Sequence, residues 1–208
     1  MIDSAKFWDK TASNYAKSKI RDQEAYEYTL ERTRSYLKPG DTVLELGCGT
    51  GSTALELATQ VTKIVGTDIS PEMIKIAKSK AQDVANADFR LASGEDAVAQ
   101  KEPFDVVMGF NFFHLAENPA GLMADIYEML PEGGLFISKT PCLADKAFGW
   151  KRFLIMGVLP VMQWLGKAPA VANFKLADVD RMILEAGFEI VESGNFPSIS
   201  RYVVARRR

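Results

Sequence analysis

The stretch Val43-Leu44-Glu45-Leu46-Gly47-Cys48-Gly49-Thr50-Gly51 decides how this chain folds. Residues 42–46 are apolar and β-branched at their start, which predicts a short buried strand. Residues 52–60 predict a helix, so the three alternating glycines lie at a helix N-terminus, where backbone N–H groups point outward. Because glycine has no Cβ atom, a ligand can approach this backbone closely. The stretch therefore predicts a binding site at the carboxyl end of the first strand.

The next predicted strand, 63–67, ends at Asp68. A carboxylate there can accept two hydrogen bonds from a ribose diol, so we expect a cofactor that carries adenosine. A nicotinamide dinucleotide and S-adenosylmethionine (SAM) both fit this outline. The dinucleotide pattern G-x-G-x-x-G would place its third glycine at Ser52, whereas the chain has Gly51. Glu45 also favours SAM, because a pyrophosphate gains nothing from a carboxylate, while SAM carries a sulfonium and an α-amino group.

Five motifs in order make the chain resemble the class I SAM-dependent methyltransferases. They are VLELGCGTG at 43–51, TDIS at 67–70, SGE at 93–95, FDVV at 104–107 and LPEGGLF at 130–136. The resemblance covers roughly residues 5–140 and is closest to the small-molecule "methyltransferase domain 11" type, which includes quinone C-methyltransferases. It implies an α/β fold, with a Rossmann-like doubly wound seven-stranded sheet and an antiparallel last strand. It also implies one domain over residues 1–208, with an N-terminal helical cap at 1–38 and a helical lid insertion at 141–175 that covers the acceptor site.

The pattern along the chain agrees with such a sheet. Strands alternate with helices, which predicts parallel strands covered on both faces. The last two strands, 188–192 and 202–205, have only a short loop between them and therefore require antiparallel pairing. The other predicted helices are 4–16, 22–37, 71–82, 118–130 and 176–186, and the other strands are 89–92, 105–110 and 134–139.

Several residues are candidates for cofactor contact. The loop supplies Gly47, Cys48, Gly49 and Gly51, and Asp68 would bind the ribose, unless it only caps the next helix. By resemblance, Ile69 packs on one adenine face, Met73 belongs to the same site, Ser93-Gly94-Glu95 reach the adenine, and Tyr15 covers the methionine part. Ser93 departs from the family, which often has Asp in its place. Glu45 is a candidate partner of the cofactor amino group, or else an exposed strand residue. The alternative for Tyr15 is packing beneath the first helix, and the alternative for 93–95 is a polar loop without a ligand.

The tetrad Asn111-Phe112-Phe113-His114 follows the fourth strand and should border the transferred methyl group, because ligands bind at the carboxyl ends of such strands. Asn111 is a candidate cofactor contact. His114 is a candidate general base, since an unperturbed imidazole titrates near neutral pH; packing against the cofactor or capping a carbonyl is the alternative. It is the only histidine in the chain, which excludes a metal site built on imidazoles.

Composition narrows the function classes further. The chain has 208 residues, a formal net charge of −2 and two cysteines. The charge argues against a general nucleic-acid binder. Cys48 lies in the cofactor loop, so Cys48 and Cys142 are expected to be reduced packing residues rather than a disulfide. The N-terminus lacks the apolar core of a signal peptide. We expect a cytoplasmic protein.

The apolar segment 148–165 has three interpretations. It is broken by Gly157 and Pro160 and is shorter than the roughly 20 residues that span a bilayer. It could be a core-packing helical insertion, a lid that lines an apolar acceptor pocket, or a peripheral membrane contact or homodimer interface.

The sequence therefore predicts a methyltransferase that uses SAM, releases S-adenosylhomocysteine (SAH), needs no metal and methylates a small, hydrophobic acceptor. Two other functions fit part of the pattern: a non-catalytic SAM-binding regulator or interaction module, and an NAD(P)-dependent Rossmann oxidoreductase.

Overall fold

The computed structural model describes residues 4–20, 22–146, 149, 151–165 and 167–208. At its centre lies one seven-stranded sheet in the order β3-β2-β1-β4-β5-β7-β6. The first five strands are parallel to one another, and β7 is antiparallel to both of its neighbours, β5 and β6. This confirms the predicted doubly wound sheet with an antiparallel last strand. The strands are β1 (Thr42–Leu46), β2 (Lys63–Asp68), β3 (Ala87–Leu91), β4 (Val106–Phe110), β5 (Leu135–Pro141), β6 (Glu189–Asn195) and β7 (Ser200–Arg206).

Helices cover both faces of this sheet. They are α1 (Ser4–Lys17), α2 (Gln23–Arg34), α3 (Ser52–Ala58), α4 (Pro71–Lys80), α5 (Gly94–Ala99), α6 (Pro119–Met129), α7 (Lys151–Trp164) and α8 (Leu176–Glu185). Buried side chains of α2, α3 and α4 pack with Val43 and Ile137 on one face. Those of α5, α6 and α8 pack with Leu44 and Phe136 on the other. Alternate residues of a central strand thus enter different apolar layers.

The strand order places a crevice at one edge of the sheet. The chain passes from β1 outward through β2 to β3, and then returns to the other side of β1 with β4 and β5. Helices that leave β1 and β4 therefore go to opposite faces, and the carboxyl ends of these two strands are left open to a ligand. The candidate residues that follow β1, β2, β3 and β4 all meet at this edge.

Helix α1 is anchored over the same edge. Asp9 Oδ1 accepts hydrogen bonds from Ser70 Oγ at 2.5 Å and from the Glu72 N–H at 3.2 Å, at the start of α4. This contact fixes the direction of α1 and brings Tyr15 above the glycine loop, where a Cβ built on Gly49 would lie 3.7 Å from Tyr15 Cε1.

The segment between β5 and α8 contains α7 and then returns across the crevice. The Ala172 N–H donates to the His114 carbonyl at 2.7 Å, and the Ala144 N–H donates to the Phe174 carbonyl at 3.1 Å. Phe148 and Trp150, which belong to the predicted apolar segment, lie outside the described residues. No described helix is long and apolar enough to cross a membrane.

Candidate cofactor and acceptor site

Two cavities open at the carboxyl edge of the sheet. The first, of about 690 Å³, lies beneath α2 and reaches Thr29, Glu45 and Lys139; we call it the α2-side cavity. The second, of about 620 Å³, reaches Asp68 and the start of α5; we call it the α5-side cavity. Both cavities are lined by Tyr15, Gly47, Gly49, Phe110 and Asn111. An elongated ligand lying across this common border would occupy both.

The structure places almost all predicted contact residues around these cavities. Those that line only the α5-side cavity are Asp68, Ile69, Met73, Ser93, Gly94, Glu95 and His114. Glu45 and Cys48 line only the α2-side cavity. Gly51 lines neither cavity, because it faces the sheet: a Cβ there would lie 2.7 Å from Phe89 Cζ. Its φ of +75° lets the loop turn into α3.

Asp68 connects the end of β2 to the glycine loop. Its Oδ2 accepts from the Gly49 N–H and its Oδ1 from the Ser70 N–H, both at 2.9 Å. Burial raises the pKa of Asp68, and the backbone donors partly offset this. Ser70, not Asp68, is the N-cap of α4, since Ser70 Oγ accepts from the Met73 N–H at 3.1 Å. Each Asp68 oxygen keeps acceptor capacity for a ligand hydroxyl.

Glu45 is a buried carboxylate with an unused oxygen. It is 3% exposed, and its Oε2 has no hydrogen-bond partner. Burial raises the pKa of Glu45 to about 8, although the Ala54 N–H acts in the opposite direction. Because an unpaired buried acceptor is costly, this oxygen is poised to accept a hydrogen bond from a cationic ligand group in the α2-side cavity.

His114 has a similarly unused atom on the other side. Its Nδ1 is buried without a partner, and burial lowers the pKa of His114 to about 4. The imidazole is therefore neutral at physiological pH and can accept a proton or a hydrogen bond. Its backbone carbonyl accepts a hydrogen bond from the Ala172 N–H, which ties the segment that follows α7 to this side of the site.

Ser93 and Gly94 form the start of α5. Ser93 Oγ accepts from the Asp96 N–H at 3.0 Å and lies 2.7 Å from Asp96 Oδ2, so the hydroxyl is engaged as a helix cap. Gly94 occupies the first helical position, where the N–H has no partner within the helix. A Cβ on Gly94 would lie 2.5 Å from Phe112 Cζ. The close Phe112 ring thus requires glycine at this position.

Asn111 sits at the border of the two cavities in a strained backbone conformation. Its φ is +56°, a left-handed value that asparagine tolerates better than most residues. Its N–H donates to the Lys139 carbonyl at 2.7 Å, which ties the end of β4 to β5. Such strain is common where a chain must present a side chain to a ligand.

Many lining residues were not among the predicted contacts, and four of them show why. Trp8 stands two helical turns before Tyr15 on α1 and makes an edge-on ring contact with it, at 6.3 Å between centroids. Phe110 could have been found, because it is the last residue of β4 and directly precedes Asn111. Thr29 and Lys139 meet at 3.4 Å across a separation of 110 residues, and no local pattern reports such a contact. Among the described residues, no cluster of three or more His, Cys, Asp and Glu could hold a metal ion.

Comparison with known sequences gives a consistent result. A family model described as a methyltransferase domain matches residues 37–179. The chain is 30% identical over 149 residues to the ubiquinone biosynthesis O-methyltransferase of Cereibacter sphaeroides, a match that covers 71% of this chain and 59% of that protein. It is also 30% identical over 178 residues to the demethylmenaquinone methyltransferase of Symbiobacterium thermophilum. This match covers 76% of this chain and 67% of that protein. The chain thus spans less than two thirds of the length of the Cereibacter relative.

Solved structures share the fold over nearly the whole chain. Magnesium protoporphyrin IX methyltransferase from Synechocystis with bound SAH superposes with a TM-score of 0.71 at 20% identity and covers 98% of both chains. A chain from the complex of the Haloferax volcanii Trm112 methyltransferase activator with a methyltransferase gives 0.78 at 17% identity, covering 99% of this chain and 97% of that one. At these identities the likeness concerns the fold alone.

Proposed function

Because this chain belongs to the methyltransferase domain family, we propose that it binds SAM and transfers the methyl group to a small, apolar acceptor. The observation that carries the proposal is the pair of cavities that meet at the glycine loop, with a carboxylate on each side, half-buried at Asp68 and buried at Glu45. Asp68 faces one cavity with spare acceptor capacity, and Glu45 faces the other with an oxygen that has no partner.

The residues fit the two ends of SAM. The adenosine belongs in the α5-side cavity, with its ribose hydroxyls on Asp68, its ring against Ile69 and Met73, and its edge at Gly94 and Glu95. The methionine part belongs across the common border, covered by Tyr15, with its ammonium on Glu45. Gly47 and Gly49 offer backbone without side chains at that border, and Cys48 packs behind them with a thiol that stays protonated, since burial raises its pKa.

When bound, SAM supplies an electrophilic methyl carbon, and transfer forms the acceptor–carbon bond while the carbon–sulfur bond breaks and sulfur keeps the pair. The protein must hold the acceptor in line and keep water away. Asn111 and the Phe110 ring lie at the border and orient the reacting groups. His114 is neutral, its Nδ1 has no partner and its pKa of about 4 makes it a weak base, so it can take a proton only from an acceptor whose reacting atom reaches the common border of the two cavities.

The acceptor is proposed to be a hydrophobic molecule with a quinone-like ring. Two relatives support this choice, since one is named a ubiquinone biosynthesis O-methyltransferase and the other a demethylmenaquinone methyltransferase. The cavity walls contributed by Ile20, Leu30 and Phe110 are apolar, as such a ring requires.

We further propose a single domain over 1–208, in which 1–38 caps the cofactor and 141–175 is a lid over the acceptor. Pro141 and Pro169, at either side of α7, both line the α5-side cavity, which supports a lid that extends over the cofactor side of the site. We place the protein in the cytoplasm, where its two free cysteines remain reduced.

A peripheral contact with an anionic membrane surface is proposed for the segment 148–165, rather than a homodimer. Val158, Val161 and Leu165 are 50–54% exposed and lie on one face of α7 and its end. Residues 146–177 contain five Lys and Arg and no Asp or Glu, although the whole chain has a net charge of −2. Apolar and basic residues together favour an anionic lipid surface. Sedimentation with anionic vesicles should carry the protein down, and equal sedimentation with zwitterionic vesicles would contradict the charge argument.

Methyl transfer is tested directly by incubating the protein with SAM labelled on its methyl group and a cell extract. We expect label to appear in the organic phase after solvent partition, and an Asp68→Ala variant to give none. Label confined to protein or RNA would contradict a small apolar acceptor. SAM binding without any transfer would instead favour the non-catalytic SAM-binding regulator.

A further inference from the structure

Lys139 is a buried lysine without a counter-ion. It is 8% exposed at the carboxyl end of β5, and its Nζ lies 3.4 Å from Thr29 Oγ1. No salt bridge joins it to any carboxylate in the part of the chain that the structure describes. Burial lowers its pKa, while the exposed Asp22 at the start of α2 acts in the opposite direction. An ammonium in this position is costly until an anion joins it.

We propose that Lys139 makes the α2-side cavity select an acceptor that binds with an anionic oxygen, either an ionised phenol or enol or a carboxylate. The inference rests on the proposed function and names the chemistry of its acceptor. The remaining donor positions of the ammonium beyond Thr29 would bond that oxygen. An acceptor held as an oxyanion at the reacting atom has no proton left to lose, so it needs no base.

The ammonium belongs to the acceptor side because of its position in the sheet. Lys139 and Glu45 lie on the same face, two residues after Ile137 and Val43, which pack in one apolar layer. Strand β4 separates them, so their backbones lie about 10 Å apart across the sheet. Lys139 is also level with Phe110, whereas Glu45 is level with Met108, further from the edge. The cofactor amino group is assigned to Glu45, and Lys139 reaches the space beyond it.

The closing experiment measures binding, by calorimetry at neutral pH, to the protein saturated with SAH. Two probe pairs differ in charge but share a ring: protocatechuate with its neutral methyl ester, and nitrocatechol, ionised at this pH, with neutral methylcatechol. The first pair places the charge on a carboxylate and the second on the ring oxygen. The variants are Lys139→Met, which removes the charge, and Lys139→Arg, which keeps it. Lys19→Met is the control, since Lys19 is exposed and lines the same cavity.

We expect the wild-type SAH complex to prefer the ionised member of at least one pair by about tenfold or more, the worth of one charge-assisted hydrogen bond. The preference should disappear in Lys139→Met and persist in Lys139→Arg and Lys19→Met. Equal binding of both members, no binding of any probe, or a preference that survives in Lys139→Met would overturn the inference. A parallel loss of SAH affinity in Lys139→Met would assign the lysine to the cofactor carboxylate instead. If the wild type binds no SAH, the proposed function itself fails, and this outcome is distinct from a missing charge preference.

Discussion

Replacing Glu45 with glutamine should have opposite effects on stability and on cofactor binding. The substitution keeps the shape of the side chain and removes its charge. Burial raises the pKa of Glu45 from 4.5 to about 8. Between these two pH values the folded protein holds a proton that the unfolded chain has released, so the free energy of unfolding falls as pH rises. At about 1.36 kcal/mol for each pH unit, ionising Glu45 in the folded protein costs about 5 kcal/mol.

The cost of ionising Glu45 can be measured by thermal unfolding of the protein without ligand. Most of this cost, about 4 kcal/mol, develops between about pH 5 and pH 9. Glu45→Gln lacks it, so the variant should gain stability relative to the wild type by that amount over the same range. For a chain of this size the gain corresponds to a rise of about 8–16 °C in Tm relative to the wild type.

The control is Glu56→Gln, which removes an exposed carboxylate from α3. We expect its Tm to follow that of the wild type across the pH range, since exposed ion pairs contribute little. Parallel Tm curves for Glu45→Gln and the wild type would refute the reasoning, because they would show that Glu45 ionises in the folded protein without cost.

The same variant should bind SAM poorly. Glutamine offers a neutral acceptor to the cofactor ammonium, and a charge-assisted hydrogen bond is roughly twice as strong as a neutral one. We expect SAM affinity to fall by about tenfold or more at about pH 8. Calorimetric titration of both proteins checks this, and unchanged affinity would remove Glu45 from the cofactor site.

Three further substitutions test other parts of the site. Asp68→Asn should lower SAH affinity by about tenfold or more, measured by calorimetry, because it removes the charged acceptor for the ribose hydroxyls; unchanged affinity would contradict that role. Gly51→Ala should lower the free energy of unfolding in urea by about 1–3 kcal/mol, since φ is +75° and the new methyl group would meet Phe89 at 2.7 Å. His114→Gln should leave SAH affinity within about twofold and, with an acceptor that must lose a proton, slow methyl transfer by about 100-fold, as expected for a lost general base; a loss of SAH affinity with an unchanged rate would show a packing role.

The sheet could be predicted from the sequence because its signals are local. Strand β1 has the predicted bounds, since an apolar run ends directly at Gly47. The antiparallel end was also predictable, because the loop between the last two strands is too short for a crossover. The glycine loop, Asp68 and the tetrad at Asn111 follow strand ends, so their meeting at one edge follows from the parallel sheet.

Elements that depend on distant contacts were predicted less well. Helix α5 was not predicted, because it is six residues long and buries only Gly94, Ala97 and Val98. Helix α2 ends at Arg34, whereas the prediction extended it to residue 37. The prediction ran too far because Tyr36 and Leu37 continue the apolar pattern of the helix, although they pack against the core from beyond its end. Strand β6 continues beyond the predicted end at 192, through Ser193, Gly194 and Asn195. These residues are weak strand formers, and pairing with β7 holds them in the extended conformation.

Among the cavity residues, too, those with a local signal could be predicted, and those that depend on distant contacts could not. Glu45 was identifiable because a carboxylate in a central strand is unusual. Lys139 was overlooked, because its significance comes from Thr29 and the cavity beneath α2, which are brought to it only by the fold.

Calorimetric titration of the purified protein with SAH tests the central claim most directly. We expect one site per chain with a dissociation constant in the micromolar range, about −8 kcal/mol in binding free energy, and no heat from NADH under the same conditions. An absence of SAH binding, or tighter binding of NADH, would contradict the assignment of these two cavities to SAM and its acceptor.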